Sequence, residues 1–165
     1  MPQGHTSEGT LPLGRARGRQ VPGRSARHAA GDVGCEEGVA AEAALRFEEA
    51  ASGFLACAAR APSPGEQAWG LSRAARVLAT KLFRFDDALA ILDRLARDFP
   101  TDPRAMAAQG LAMVIRDGRA AGDEPLRLYY TLLERPDLVT RGERATLLRT
   151  LVREHPSFPF ADTAM

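Results

Sequence analysis

Apolar residues in this chain recur with the period of an α-helix and nowhere with the period of a strand. The stretch RFDDALAILDRLARDFP, from Arg84 to Pro100, carries the clearest example. Phe85, Ala88, Leu89, Leu92, Leu95, Ala96 and Phe99 step along at i, i+3, i+4 and i+7, which lays one apolar stripe on a helix. Asp86 and Asp87 stand near its start and Arg94 and Arg97 near its end, as the helix dipole prefers. No window alternates apolar and polar residues as a half-buried strand would. Ala and Leu dominate while aromatics are only 6%, and that bias also favours helices. The expected class is all-α.

Turn and cap residues divide the chain into about six helices. AAEAALRFEEAASGFLACAARA reads as one continuous helix with Leu45, Phe47, Ala50, Ala51, Phe54 and Ala58 on one face. Ser63-Pro64-Gly65-Glu66 reads as a capping box and opens a second helix, about 64–82. The quoted stretch is the third. Asp102 caps a fourth, with Pro103 in its first turn and Met106, Gly110, Leu111, Met113, Val114 and Ile115 along it. Asp123 and Pro125 start a fifth, PLRLYYTLLER, apolar around most of its circumference. Thr140 and Glu143 form a second capping box for a sixth, whose expected core face is Ala145, Leu148, Leu151 and Val152. Pro156 and Pro159 then stop it, leaving residues 157–165 as a tail whose Phe158 and Phe160 fold back on the last helix. Short connections make sequential helices antiparallel neighbours within a domain spanning 40–156.

Residues 1–39 differ. They are rich in Gly, Arg and Pro and lack apolar periodicity, so they cannot bury enough surface to offset the entropy of ordering. A disordered basic arm is expected, with Arg15, Arg17, Arg19, Arg24 and Arg27 against Glu8 up to residue 31. Such an arm can touch nucleic acid weakly, or be a plain solvated tail or a mis-assigned start; it has no aromatic residue for base stacking.

Two segments of the helical region align without a gap. RFEEAASGFLACAARAP and RFDDALAILDRLARDFP lie 38 residues apart. Arg46 meets Arg84, Phe47 meets Phe85, Ala50 meets Ala88, Phe54 meets Leu92, Cys57 meets Leu95 and Pro62 meets Pro100. This is an internal repeat, and it resembles the second helix of a tetratricopeptide repeat. There an aromatic precedes two acids and a small alanine, a large apolar residue follows four positions on, and a proline closes the unit. Gly110 falls where the family's next first helix carries a close-crossing glycine. Departures stand beside the match: the spacing is 38 and then 36, against about 34 in the family, and Arg76 stands where a small glycine is expected. The fifth helix has lost the signature. The resemblance covers about residues 43–136 and implies a helix-hairpin α-solenoid, in which stacked hairpins bury a core that none could bury alone.

Little in the chain announces chemistry. His5, His28 and His155 are isolated from acids and cysteines at ligand spacing, so neither a metal site nor a catalytic histidine is expected. There is no phosphate loop and no nucleophile elbow. Glu48-Glu49 and Asp86-Asp87 are adjacent pairs, which diverge on a helix and make no acid–base dyad. No enzyme and no cofactor is expected. Cys35 and Cys57 are too few for a disulfide framework; Cys57 reads as a buried thiol and Cys35 as an exposed one, a weak sign of a reducing compartment. No apolar run approaches membrane-spanning length and no secretory signal is visible, so a bacterial cytoplasmic protein is expected.

What the tetratricopeptide resemblance implies is a scaffold that binds a protein or peptide on its concave face. The positions mapping there are Arg73, Val77 and Lys81 on the second helix and Arg104, Ala108, Leu111 and Ile115 on the fourth. Val77 stands where the family's carboxylate clamp needs an asparagine, which argues against capture of chaperone tails. Trp69 reads as packing between hairpins. The alternatives are nucleic-acid association through the arm, or a self-associating helical module whose apolar end is covered by another copy.

Overall fold

The computed structural model describes residues 35–161 of the 165-residue chain. Among them are seven α-helices and no strand: α1 (Glu36–Ala43), α2 (Phe47–Arg60), α3 (Pro64–Thr80), α4 (Phe85–Asp98), α5 (Pro103–Arg119), α6 (Asp123–Glu134) and α7 (Arg141–Glu154). The arginines of the basic arm, Arg15 to Arg27, lie outside the described residues. Each helix packs on its neighbours in sequence, and α3 also touches α5 and α6.

Six helices become seven because the first expected segment is broken. Leu45 adopts a left-handed φ of 59°, and its side chain is 57% exposed rather than in the core. The Arg46 N–H then reaches the Ala41 carbonyl, and α2 starts at Phe47. Helix also begins at Glu36, ahead of the residue-40 boundary, with Glu36 and Glu37 in its first turn. The same turn recurs one repeat later. Phe83 has φ 57°, and Arg84 matches Arg46 in both dihedrals, φ −91° and ψ 72° against φ −90° and ψ 72°. Each arginine pairs with the acid three residues on, Glu49 or Asp87, at 2.7 Å.

Local signals set the other helix starts. Ser63 accepts from the Glu66 N–H, Asp102 accepts from the Arg104 N–H, and Thr140 with Glu143 closes a complete capping box. Such caps stabilise a helix by about 1 kcal/mol each.

The core is built from α2 to α6. Phe54, Leu71, Leu95, Ile115, Leu126 and Leu132 are fully buried, and the alanines of α3 (Ala68, Ala74, Ala75, Ala79) let its neighbours approach. The close crossing uses Gly70 and not Gly110. A Cβ on Gly70 would sit 2.8 Å from the Phe54 carbonyl oxygen, whereas one on Gly110 would meet nothing. Met106 and Met113 are exposed. Of the expected core face of α7 only Leu151 is buried; Ala145 and Val152 face outward and Leu148 is half-buried. Phe158 is buried, but against α6 and α5 and not on the last helix as expected: its ring lies 5.7 Å from that of Tyr129 and beside Gly118.

Cys35 is 1% exposed and bonded to Cys57, with Cα atoms 5.1 Å apart. Neither thiol is free, so the inference of a reducing compartment loses its premise. The bridge ties the start of α1 to α2, where Gly38 and Gly53 let the two helices meet closely. No helix among the described residues is long and apolar enough to cross a membrane.

Candidate functional site

Helix α3 shows two polar-bearing stripes about 100° apart, and they have different fates. Arg73, Val77 and Lys81 form the first. Arg73 pairs with Glu42 of α1, and its guanidinium lies 5.4 Å from the Phe54 ring and 5.9 Å from Trp69. Val77 is 1% exposed. Lys81 donates to the backbone and carboxylate of Glu134 and sits 5.9 Å from the Phe47 ring. This stripe is turned toward α1, α2 and the end of α6. Trp69 packs edge-on against Phe54, 5.5 Å between centroids.

The second stripe, one residue earlier, is Ser72, Arg76 and Thr80. With Leu92, Ala107, Ala108, Leu111, Tyr130 and Glu134 it lines a cleft of about 260 Å³ between α3, α5 and α6. Of the residues mapped to a groove by the resemblance, Ala108 and Leu111 line this cleft. Ile115 is fully buried, and Arg104 is engaged with Asp102 at its own helix start.

Two features give the cleft chemical character. First, Thr80 and Tyr130 are 3% and 5% exposed, and their hydroxyls are buried with no hydrogen-bond partner among the described residues. An unsatisfied buried polar group costs about 1–3 kcal/mol, so each is a standing demand for a partner. Burial, with Tyr129 and Glu134 nearby, pushes the Tyr130 phenol up to about 12, so it stays a neutral donor. Second, Arg76 and Lys81 share one carboxylate. Arg76 Nη2 and Lys81 Nζ each lie 3.0 Å from Glu134 oxygens. Burial pushes Glu134 up, but the Lys81 hydrogen bond and the Arg76 charge outweigh it and leave the carboxyl below its ordinary value. Of the three, Arg76 and Glu134 line the cleft, a paired cation and anion at its rim, while Lys81 holds Glu134 from the other side.

The wall formed by α6 is held by long-range contacts. Arg135 donates to the Lys81 carbonyl at 2.7 Å, and its guanidinium lies 4.7 Å from the Phe47 ring centroid. The end of α6 is thus pinned to the end of α3 and the start of α2. A recess of about 390 Å³ beside Leu138 and Thr146 is larger but holds no unpartnered buried group. Among the described residues no three His, Cys, Asp or Glu side chains converge as a metal site would.

Comparison with family models, with curated proteins and with solved structures finds no match to this chain. The tetratricopeptide resemblance therefore rests on residues alone.

The cleft residues missing from the sequence reading are Ser72, Arg76, Thr80, Tyr130 and Glu134. Arg76 had one signal, its place where a small residue was expected. Thr80 and Tyr130 had a fainter one, a polar tip on an otherwise apolar stripe.

Proposed function

We propose that this chain is a non-enzymatic, tetratricopeptide-like adaptor that binds an extended peptide segment of a protein partner in the cleft between α3, α5 and α6. The observation carrying this reading is the pair of unpartnered buried hydroxyls, Thr80 and Tyr130, in a cleft with an apolar floor and the Arg76–Glu134 pair at its rim. A peptide suits that combination. An apolar side chain covers Leu92 and Leu111, an acidic residue meets Arg76, and the peptide carbonyls accept from the hydroxyls once the side chains covering those oxygens move aside. Because α3 and α6 are already pinned together, little ordering entropy opposes binding. Of the residues first mapped to the groove, Ala108 and Leu111 keep a place in this reading, while Arg73 and Lys81 support the walls.

The test is a phage-displayed peptide library panned on the full chain, with affinities of enriched peptides measured for wild type, Tyr130→Phe and Thr80→Val. Removing an unsatisfied hydroxyl leaves the free protein equally or more stable. Enriched peptides should carry an acidic residue beside an apolar one and bind Tyr130→Phe about tenfold more weakly, the worth of one buried hydrogen bond. Equal affinity for all three proteins, or no enrichment, overturns the reading.

A further inference from the structure

We propose that the chain associates head to tail with further copies of itself, the α7 end of one copy stacking on the α1–α2 end of the next. The two ends carry opposite charge, and each supplies what the other lacks.

At one end, α7 packs on α6 and buries only Leu151 outright. Leu148 is half-buried and Val152 exposed, and with Arg149 and Arg153 they line a shallow recess of about 320 Å³. At the other end, the outer surface of α1 and α2 is made of small residues. Ala40, Ser52, Gly53 and Ala56 frame a recess of about 610 Å³, with Glu37 and the paired Arg46 and Glu49 among its walls.

Charge gives the ends their polarity. Residues 36–60 hold five glutamates (Glu36, Glu37, Glu42, Glu48, Glu49) against Arg46 and Arg60. Glu42, Glu48 and Glu49 pair with Arg73, Arg84 and Arg46, which leaves Glu36 and Glu37 as the acidic tip of this end and a small net negative charge. Helix α7 holds Arg141, Arg144, Arg149 and Arg153 against Glu143 and Glu154. One end is net negative and the other net positive, so like ends repel and unlike ends attract. That pattern selects a second copy in a heterologous contact over a symmetric dimer. A heterologous contact of this kind does not use up its own surfaces, so the assembly lengthens with concentration instead of stopping at two.

The experiment is sedimentation velocity of the full-length, disulfide-intact chain across a wide concentration range. Three proteins are compared: wild type, Arg149→Glu/Arg153→Glu, and Glu37→Arg/Glu49→Arg. Arg149 and Arg153 contact only Thr146 and Glu154 of their own helix, so the first variant keeps its fold, which circular dichroism verifies. Wild type should shift progressively to larger species, and each variant alone should associate about tenfold more weakly or more. Mixing the two variants should restore association, because the acidic end of the first again meets a basic end on the second. A wild type that stays monomeric overturns the proposal and leaves the acidic end to the chain's own arm or a foreign partner. Association indifferent to the reversals, or no recovery on mixing, overturns it as well.

Discussion

Leu45 and Phe83 lie 38 residues apart and share a left-handed backbone, φ 59° and 57°, each two residues before an aromatic-acid-acid-alanine helix start. The repeat in the sequence is thus also a repeat in the turn that precedes it. Left-handed backbone costs a non-glycine residue about 1–2 kcal/mol. Leu45 is largely exposed and has little packing to lose. Leu45→Gly should therefore raise the melting temperature by about 3 °C, and the β-branched Leu45→Val should lower it. A lower melting point for the glycine variant, read by calorimetry, would contradict the strained turn.

The glycines of α3 and α5 should respond in opposite ways. Gly70→Ala forces a methyl against the backbone of α2 and should destabilise by about 1–3 kcal/mol. Gly110→Ala adds a methyl in open space within a helix and should stabilise by about 0.5–1 kcal/mol. Urea unfolding of both variants decides this. If Gly110→Ala is the damaging one, α5 crosses a neighbour where the structure leaves space.

The shared carboxylate predicts a pH dependence. Glu134 is held below its ordinary value in the folded chain. A depressed carboxyl stabilises the fold above its unfolded value of about 4.3, and that contribution is lost as pH falls through the lower, folded value. Melting temperature should fall as the pH drops below about 4.3, and Glu134→Gln should flatten that part of the profile. An unchanged slope in the glutamine variant would remove Glu134 from the linkage.

The Cys35–Cys57 bridge closes a loop across α1 and most of α2, with a sequence separation of 22. A loop of that size stabilises by about 3 kcal/mol, chiefly by restricting the unfolded chain. Reduction should lower the stability by that amount, and hydrogen exchange should show the change first in α1. Purified chain with two titratable thiols and unchanged stability under reductant would refute the bridge.

Much of this architecture was legible in the sequence because it is local. Helix periodicity, the caps at Ser63, Asp102 and Thr140, and the prolines that end units all act within one turn, so boundaries came out within a few residues. That Phe158 turns inward was legible, but not its seat beside Tyr129 of α6, because the tail carries no pattern that names a distant helix. The break at Leu45 was not, because nothing about a leucine inside an apolar run signals left-handed backbone.

What the sequence by itself determined is the class and order of elements: helices, their ends, and one motif used twice. Tertiary structure alone decided which side of each helix does what. A step of one residue turns a helix by about 100°, so Arg73, Val77 and Lys81 face α1 and α2 while Ser72, Arg76 and Thr80 face the cleft. Apolar periodicity cannot make that choice on an alanine-rich helix packed on several sides, because both stripes read alike. The Cys35–Cys57 bridge and the Arg76–Glu134–Lys81 cluster were decided in the same way, by contacts between residues 22 to 58 positions apart that no local pattern encodes.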